Sequence, residues 1–205
     1  GAAIGYGIWA THFVAMLAYE PGVATGYGIV LTSLSLATAM LLTSVGFGVA
    51  VGGPGRWRAG TGGVIVGGGI ASMHYLGMWA LEVPGRVAWS PDLVLVSIIL
   101  GMCFGYAALA VAIKYRNYRG TLAAAVLLTL AIISHHFTAM GAVEIAPDPT
   151  RTVDALTLSP TVLAIAVASG SIGRVPRSRS PICSPLVGRA NAPAPPPPRT
   201  GSTSL

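Results

Sequence analysis

One pattern recurs in this chain at a fixed period, and it limits the fold more than any local propensity does. It reads His12-Phe13-x-x-Met16-x-x-x-Glu20, then His74-Tyr75-x-x-Met78-x-x-x-Glu82, then His136-Phe137-x-x-Met140-x-x-x-Glu144. The step from histidine to histidine is 62 residues both times, while the neighbours change freely: Thr11, Met73 and His135 precede the three histidines. Self-similarity at a fixed step marks a repeated structural unit. Three pseudo-equivalent units are expected, each offering an imidazole, a thioether and a carboxylate.

Only 9% of the residues are charged and 53% are hydrophobic, and the mean hydropathy is +0.71. A soluble domain carries about 25% charged residues, so this chain cannot cover itself with a water-facing surface. The lipid bilayer is the expected partner, and nucleic acid is not. The runs 1–19, 25–51, 61–81, 93–113 and 121–143 lack Lys, Arg, Asp and Glu. Each reaches the roughly 20 residues that cross a bilayer as a helix, and a shorter run follows at 160–172. Spanning backbone must satisfy its own hydrogen bonds, and runs that do not alternate point to helices. The expected fold class is all-α, a polytopic transmembrane helix bundle of three two-helix repeats at about 1–51, 61–113 and 121–172.

The loops ahead of the motif helices, and the segment after Ile172, hold Arg56, Arg58, Lys114, Arg116, Arg119, Arg174, Arg177 and Arg179 without any acid. The loops after the motif helices hold Glu20, Glu82, Asp92, Glu144, Asp148 and Asp154, opposed by Arg86 and Arg151. Cytoplasmic loops carry the excess of Lys and Arg, so the motif ends are expected to face outside and the basic loops and tail the cytoplasm. Residues 173–205 turn to Arg, Ser and Pro, a composition that reads as a disordered tail or as a shifted reading frame. Gly1 already lies inside an apolar run, so the sequence reads as a fragment. Cys103 and Cys183 are the only cysteines, one in an apolar run and one in the tail, so no disulfide is expected.

Residues four apart lie on one face of a helix, about 6 Å apart along its axis. His12 with Met16, His74 with Met78 and His136 with Met140 can therefore address one cavity. Imidazole suits several transition metals, whereas a thioether narrows the choice towards copper, especially Cu(I). The glutamates eight residues on, Glu20, Glu82 and Glu144, fall about 12 Å along the helix. They are auxiliary candidates at the outer interface, with Met73 and His135 beside the motif. A single copy fits a packed histidine over a core methionine. Three copies of an ionisable residue inside apolar helices favour a shared site, because such residues are costly in a bilayer.

With these residues in view, the chain resembles the MHYT family of bacterial integral-membrane sensory domains. The family's Met-His-Tyr-Thr signature appears as Met73-His74-Tyr75-Leu76, with looser versions at Thr11-His12-Phe13-Val14 and His135-His136-Phe137-Thr138. The resemblance covers 1–172. It implies a sensor of oxygen, carbon monoxide or nitric oxide in the bacterial inner membrane, acting through copper bound by the motif His and Met residues. It also implies about seven helices and an attached cyclic-di-GMP or other signalling output. Leu76 departs from the signature by removing its hydroxyl, and with no output domain in this sequence the signal is expected to pass to a separate cytoplasmic partner.

The leading expectation is thus a non-enzymatic sensory module with His12, Met16, His74, Met78, His136 and Met140 as metal ligands. A copper-handling or transport protein is the first rival, with Met40 and Met102 as further thioethers on a path inwards. A structural membrane protein without metal is the second. No nucleophile–base pair or phosphate-cradling loop points to an enzyme.

Overall fold

The computed structural model describes residues 1–20, 22, 24–53, 55–148 and 157–172. The tail at 173–205, with Cys183, Arg174, Arg177 and Arg179, lies outside the described residues, as do Arg151 and Asp154. The described chain is mostly helical, with six helices: α1 (Ala2–Leu17), α2 (Ile29–Val51), α3 (Arg56–Ala80), α4 (Pro91–Lys114), α5 (Tyr118–Gly141) and α6 (Pro160–Ile172). Among the described residues α2, α4 and α5 are long and apolar enough to cross a membrane. α1 and α6 are apolar but shorter. The long helix α3 carries Arg56, Arg58, His74 and a series of glycines, which dilute its apolar character.

Those glycines have a packing reason. α3 lies between α2 and α4, and its backbone approaches both so closely that side chains would not fit. A Cβ at Gly63 would meet the Gly105 carbonyl and stand 2.6 Å from the Tyr106 Cα. On the other side Gly62 stands against the Gly46 carbonyl, where a Cβ would also fall 2.9 Å from Ala50. Small residues at helix crossings are the usual means of close packing where lipid removes the hydrophobic drive between helices. α1 packs on α2 and α6, α4 on α3 and α5, and the three motif helices α1, α3 and α5 also touch one another. Tyr6 donates to the Val167 carbonyl at 2.7 Å and ties α6 to α1.

Helix ends follow local chemistry. α4 begins at Pro91, two residues earlier than its apolar run, because proline fits the first helical position. α5 begins at Tyr118, where Asn117 caps it by accepting from the Gly120 N–H at 2.8 Å. Arg58, in the first turns of α3, donates to the Val49 carbonyl at 3.2 Å and so neutralises the last turn of α2.

The all-α expectation needs correction at one end of the bundle. Short strands cap it: β1 (Gly26–Gly28), β2 (Leu81–Glu82), β3 (Gly85–Trp89), β4 (Val143–Pro147) and β5 (Thr157–Leu158). β1 pairs antiparallel with β2 and β5, with Gly26 opposite Glu82 and Tyr27 opposite Leu158. β3 pairs antiparallel with β4 from Gly85–Pro147 to Trp89–Val143. These segments leave the helices with backbone groups unsatisfied, and pairing across the bundle end satisfies them. Arg86 and Asp148 add an ion pair of 3.8 Å beside this second ladder.

Candidate metal centre

The 62-residue period brings equivalent positions of α1, α3 and α5 to one point. His12, His74 and His136 are 2%, 1% and 6% exposed, so a place that water does not reach holds three imidazoles. Their ring centroids lie 4.9 Å (His12–His74), 5.4 Å (His12–His136) and 5.2 Å (His74–His136) apart. The Nδ1 atoms converge, with His74 Nδ1 at 3.2 Å and His136 Nδ1 at 3.4 Å from His12 Nδ1. One nitrogen from each ring lies within 4.8 Å of the others, and the three histidines could hold a metal ion.

Counting hydrogens and lone pairs shows why. A ring nitrogen of neutral imidazole carries either one hydrogen or one lone pair. His12 Nδ1 therefore has a single hydrogen or a single lone pair for two Nδ1 neighbours, and neutral rings can share it between them only as a weak three-centre contact. A cation between them would use three lone pairs at once. Metal–nitrogen bonds of about 2.0–2.1 Å at tetrahedral angles place two ligand nitrogens about 3.4 Å apart, and the two spacings from His12 Nδ1 match. This donor set fits a borderline transition metal.

Packing holds the rings. Phe13 lies edge-on to His12 at 4.8 Å and Tyr75 edge-on to His74 at 5.1 Å. Gly77 makes room for His12, since a Cβ there would stand 2.6 Å from His12 Nε2. An aromatic pair covers each of the first two units: Tyr27 on Phe13 at 5.7 Å, and Trp89 on Tyr75 at 5.4 Å. Tyr27 hangs from the Met16 carbonyl by a 3.4 Å hydrogen bond, and burial pushes its phenol up to about 12, which keeps it a neutral donor.

The other expected residues are placed unequally. Met16 and Met78 are buried and Met140 half-buried, all in the core one helical turn past the histidines. Met73 is buried beside His74. The three glutamates lie past the ends of the motif helices. α1, α3 and α5 end at Leu17, Ala80 and Gly141, before Glu20, Glu82 and Glu144 are reached. Glu20 is exposed past α1, Glu82 lies in β2 and Glu144 in β4, so the helical extrapolation that placed them 12 Å along an axis fails. His135 is fully buried but stands outside the nitrogen triangle, its Nδ1 2.9 Å from the Ser97 carbonyl.

Two site-supporting residues escaped the sequence reading although the period marks them. Ser35 and Ser97 are one period apart. Ser35 Oγ donates to the Thr32 carbonyl and accepts from Trp9 Nε1 at 3.0 Å. Ser97 Oγ donates to the Val94 carbonyl and lies 2.8 Å from the Tyr75 hydroxyl. Extending the repeat search from the motif helices to the return helices would have found both.

Residues 5–63 and 67–125 match the model of the MHYT family, described as a bacterial signalling protein N-terminal repeat. The chain belongs to the MHYT family. The two matched MHYT segments start one motif period apart, so the family repeat and the histidine repeat are the same unit. An uncharacterized signaling protein of Caulobacter vibrioides is 40% identical over 169 residues, covering 82% of this chain and 21% of that protein. The bifunctional diguanylate cyclase/cyclic di-GMP phosphodiesterase MucR of Pseudomonas aeruginosa is 33% identical over 148 residues, 69% of this chain and 22% of MucR. The cyclic di-GMP phosphodiesterase NbdA of the same organism is 35% identical over 150 residues, 68% of this chain and 19% of NbdA. This MHYT chain spans about a fifth of the length of these relatives. No solved structure matches it.

Proposed function

We propose that residues 1–172 form a non-enzymatic sensory unit of the bacterial inner membrane, a transmembrane bundle of three two-helix repeats at about 1–51, 61–113 and 121–172. The motif ends face outside and the basic ends the cytoplasm, the orientation that the segregation of Arg and Lys favours. Residues 173–205 are its cytoplasmic tail. The metal is copper, held by His12, His74 and His136, with Met16, Met78 and Met140 as the thioethers that favour Cu(I). Copper supplies a soft centre with room for oxygen, carbon monoxide or nitric oxide.

The observation that carries this reading is the meeting of three Nδ1 atoms from three helices at 3.2 and 3.4 Å, a grouping that neutral imidazoles serve only by sharing one hydrogen or one lone pair between two contacts. The three helices that supply the ligands are the ones whose relative packing a bound gas would have to change, and only a ligand that favours one packing shifts the balance. Apolar gases dissolve in lipid. An apolar groove on the α3–α4 face, about 540 Å³ and lined by Tyr75, Trp79, Trp89 and Leu95 among others, brings lipid to the far side of the tyrosine that packs on His74. The names of MucR and NbdA suggest cyclic-di-GMP turnover as the output, in a partner protein or a further part of the same polypeptide.

Purified chain in detergent, reconstituted with Cu(I), should hold about one copper per polypeptide, and the triple His12→Ala, His74→Ala, His136→Ala variant should hold none. Equal copper in both would remove the site. No metal in either would leave the structural reading, and copper uptake into vesicles would favour the transport reading instead.

A further inference from the structure

The triad leaves a question about the far side of its rings. A histidine that binds a metal through one nitrogen carries a hydrogen on the other, and that N–H normally has an acceptor that fixes the ring. With Nδ1 turned to the metal, the donor is Nε2. The Nε2 atoms of His12 and His74 are both buried without a hydrogen-bond partner. His12 Nε2 lies against the α3 backbone at Gly77, which offers no acceptor side chain.

His74 has a different neighbour. Its ring is surrounded by His12, His136, Tyr75 and His135, all within 5.2 Å between centroids. His12 and His136 turn their near nitrogens to the triangle, and the Tyr75 hydroxyl is held on Ser97 Oγ, to which it donates. That leaves His135, whose ring stands edge-to-face on His74 at 5.0 Å. Its tautomer is fixed from outside: Nδ1 lies 2.9 Å from the Ser97 carbonyl, which only accepts, so Nδ1 carries the hydrogen. Neutral His135 then presents a lone pair on Nε2, and that atom too is buried without a partner. One facing ring needs an acceptor and the other holds an unused one.

We propose that His135 is the positioning residue of the metal centre: when His74 Nδ1 binds the ion, His74 Nε2–H donates to His135 Nε2, directly or through one water. The chain of contacts runs from the Ser97 carbonyl on α4 through His135 on α5 to His74 on α3, and so links three helices to one ligand. This role is special to the third unit. The equivalent positions hold Met73, a buried thioether, and Thr11, whose hydroxyl donates to the Gly7 carbonyl of its own helix. His135 is therefore not a fourth ligand, in keeping with its place outside the nitrogen triangle.

The inference rests on the metal reading above, and its test separates the two. Cu(I) affinity is measured by chelator competition on the full chain in detergent for wild type, His135→Met, His135→Gln and His136→Ala, with metal-free thermal stability recorded alongside. His135→Met should retain a site weakened about 10–100-fold, the range for lost outer-shell partners. His135→Gln can donate to Ser97 and accept from His74, so it should recover most of the affinity. His136→Ala, a lost ligand, should fall below both. Wild-type affinity in His135→Met overturns the proposal, as does equal weakening in Met and Gln, which would mean packing alone. Loss in His135→Met as complete as in His136→Ala overturns it by making His135 a ligand. A wild-type chain that takes up no copper removes the metal reading and this inference with it.

Discussion

Between α1 and α2, Gly5 closely meets Ala39 and Met40; between α3 and α4, Gly67 closely meets Gly101 and Met102. All three positions shift by one period. The same holds for Phe13 under Tyr27 against Tyr75 under Trp89, and for Ser35 and Ser97, which bond aromatic partners, Trp9 and Tyr75, that sit one helical turn apart in the repeat. The first two repeats thus keep the places where backbones and rings meet while exchanging the side chains that meet there. A glycine opposite a carbonyl and a serine bonded to the carbonyl three residues back are features of backbone geometry, which tolerate a change from indole to phenol beside them. The histidines are kept in both place and type, as are Gly5 with Gly67 and Ser35 with Ser97, and the histidines lie where the repeats come together.

The largest expected effect tests that pseudo-equivalence. His12→Ala and His74→Ala each remove one corner of the nitrogen triangle, and each should reduce Cu(I) affinity beyond the roughly 100-fold that bounds outer-shell losses. Similar losses in chelator competition would support a shared site on equal terms. Retention of wild-type affinity in either variant would break the comparison, leaving that repeat's histidine as packing.

A second contrast concerns the close crossings. Gly67→Val places a branched side chain against the Gly101 carbonyl and 2.6 Å from the Met102 Cα, in a helix held on both sides by α2 and α4. Gly5→Val meets the Ala39 carbonyl at 2.5 Å in the shorter helix α1. Overpacking costs typically about 1–3 kcal/mol and more where the backbone cannot retreat. Gly67→Val should therefore lower stability in detergent by about 3 kcal/mol or more and Gly5→Val by about 1–3 kcal/mol. Equal, small shifts in thermal unfolding would show that α3 is not clamped as its glycines suggest.

Much of this arrangement was legible in the sequence, and what was not has a physical cause. The period and the apolar runs put the right residues on α1 to α5 and brought His12, His74 and His136 into one frame. Helix starts were missed by a few residues because Pro91 and Asn117 act locally, beyond the apolar run. The strands were missed because each is short and exists only through pairing with a distant partner, as Gly85 does with Pro147. That pairing also takes up Glu82 and Glu144, while Glu20 lies past the end of α1, since the helices stop before reaching them. The choice of Nδ1 over Nε2 at the centre, and the anchoring of His135 on Ser97, depend on ring orientation, which spacing along one helix does not specify.

The serines give a smaller and directional contrast. Ser35→Ala strands the indole N–H of Trp9, a residue only 4% exposed, and should cost about 1–3 kcal/mol for an unsatisfied buried donor. Ser97→Ala removes the partner of the half-buried Tyr75 hydroxyl, which can turn elsewhere, and should cost about 0.5–1.5 kcal/mol. The reverse order in thermal unfolding would mean that the α3–α4 contact is the more rigid of the two. Tyr75→Phe, which gives the second repeat the residue found at Phe13, should fall no lower than Ser97→Ala.

The smallest effect is expected where the repeats touch outside the bundle. Arg86 and Asp148 approach to 3.8 Å beside the β3–β4 ladder, with the arginine side chain 76% exposed. Exposed pairs contribute about 0–1 kcal/mol because water screens them and long side chains lose freedom on pairing. Arg86→Ala should therefore shift stability by less than about 0.5 kcal/mol and leave Cu(I) affinity unchanged. The ladder itself joins the second repeat to the third through five residue pairs from Gly85–Pro147 to Trp89–Val143, and Trp89 is the residue that packs on Tyr75. If Arg86→Ala weakened copper binding, the ion pair would be holding the ladder in register over His74. The loops at this end of the bundle would then belong to the site, and the contrast between a repeated centre and a tolerant periphery would fail at this seam.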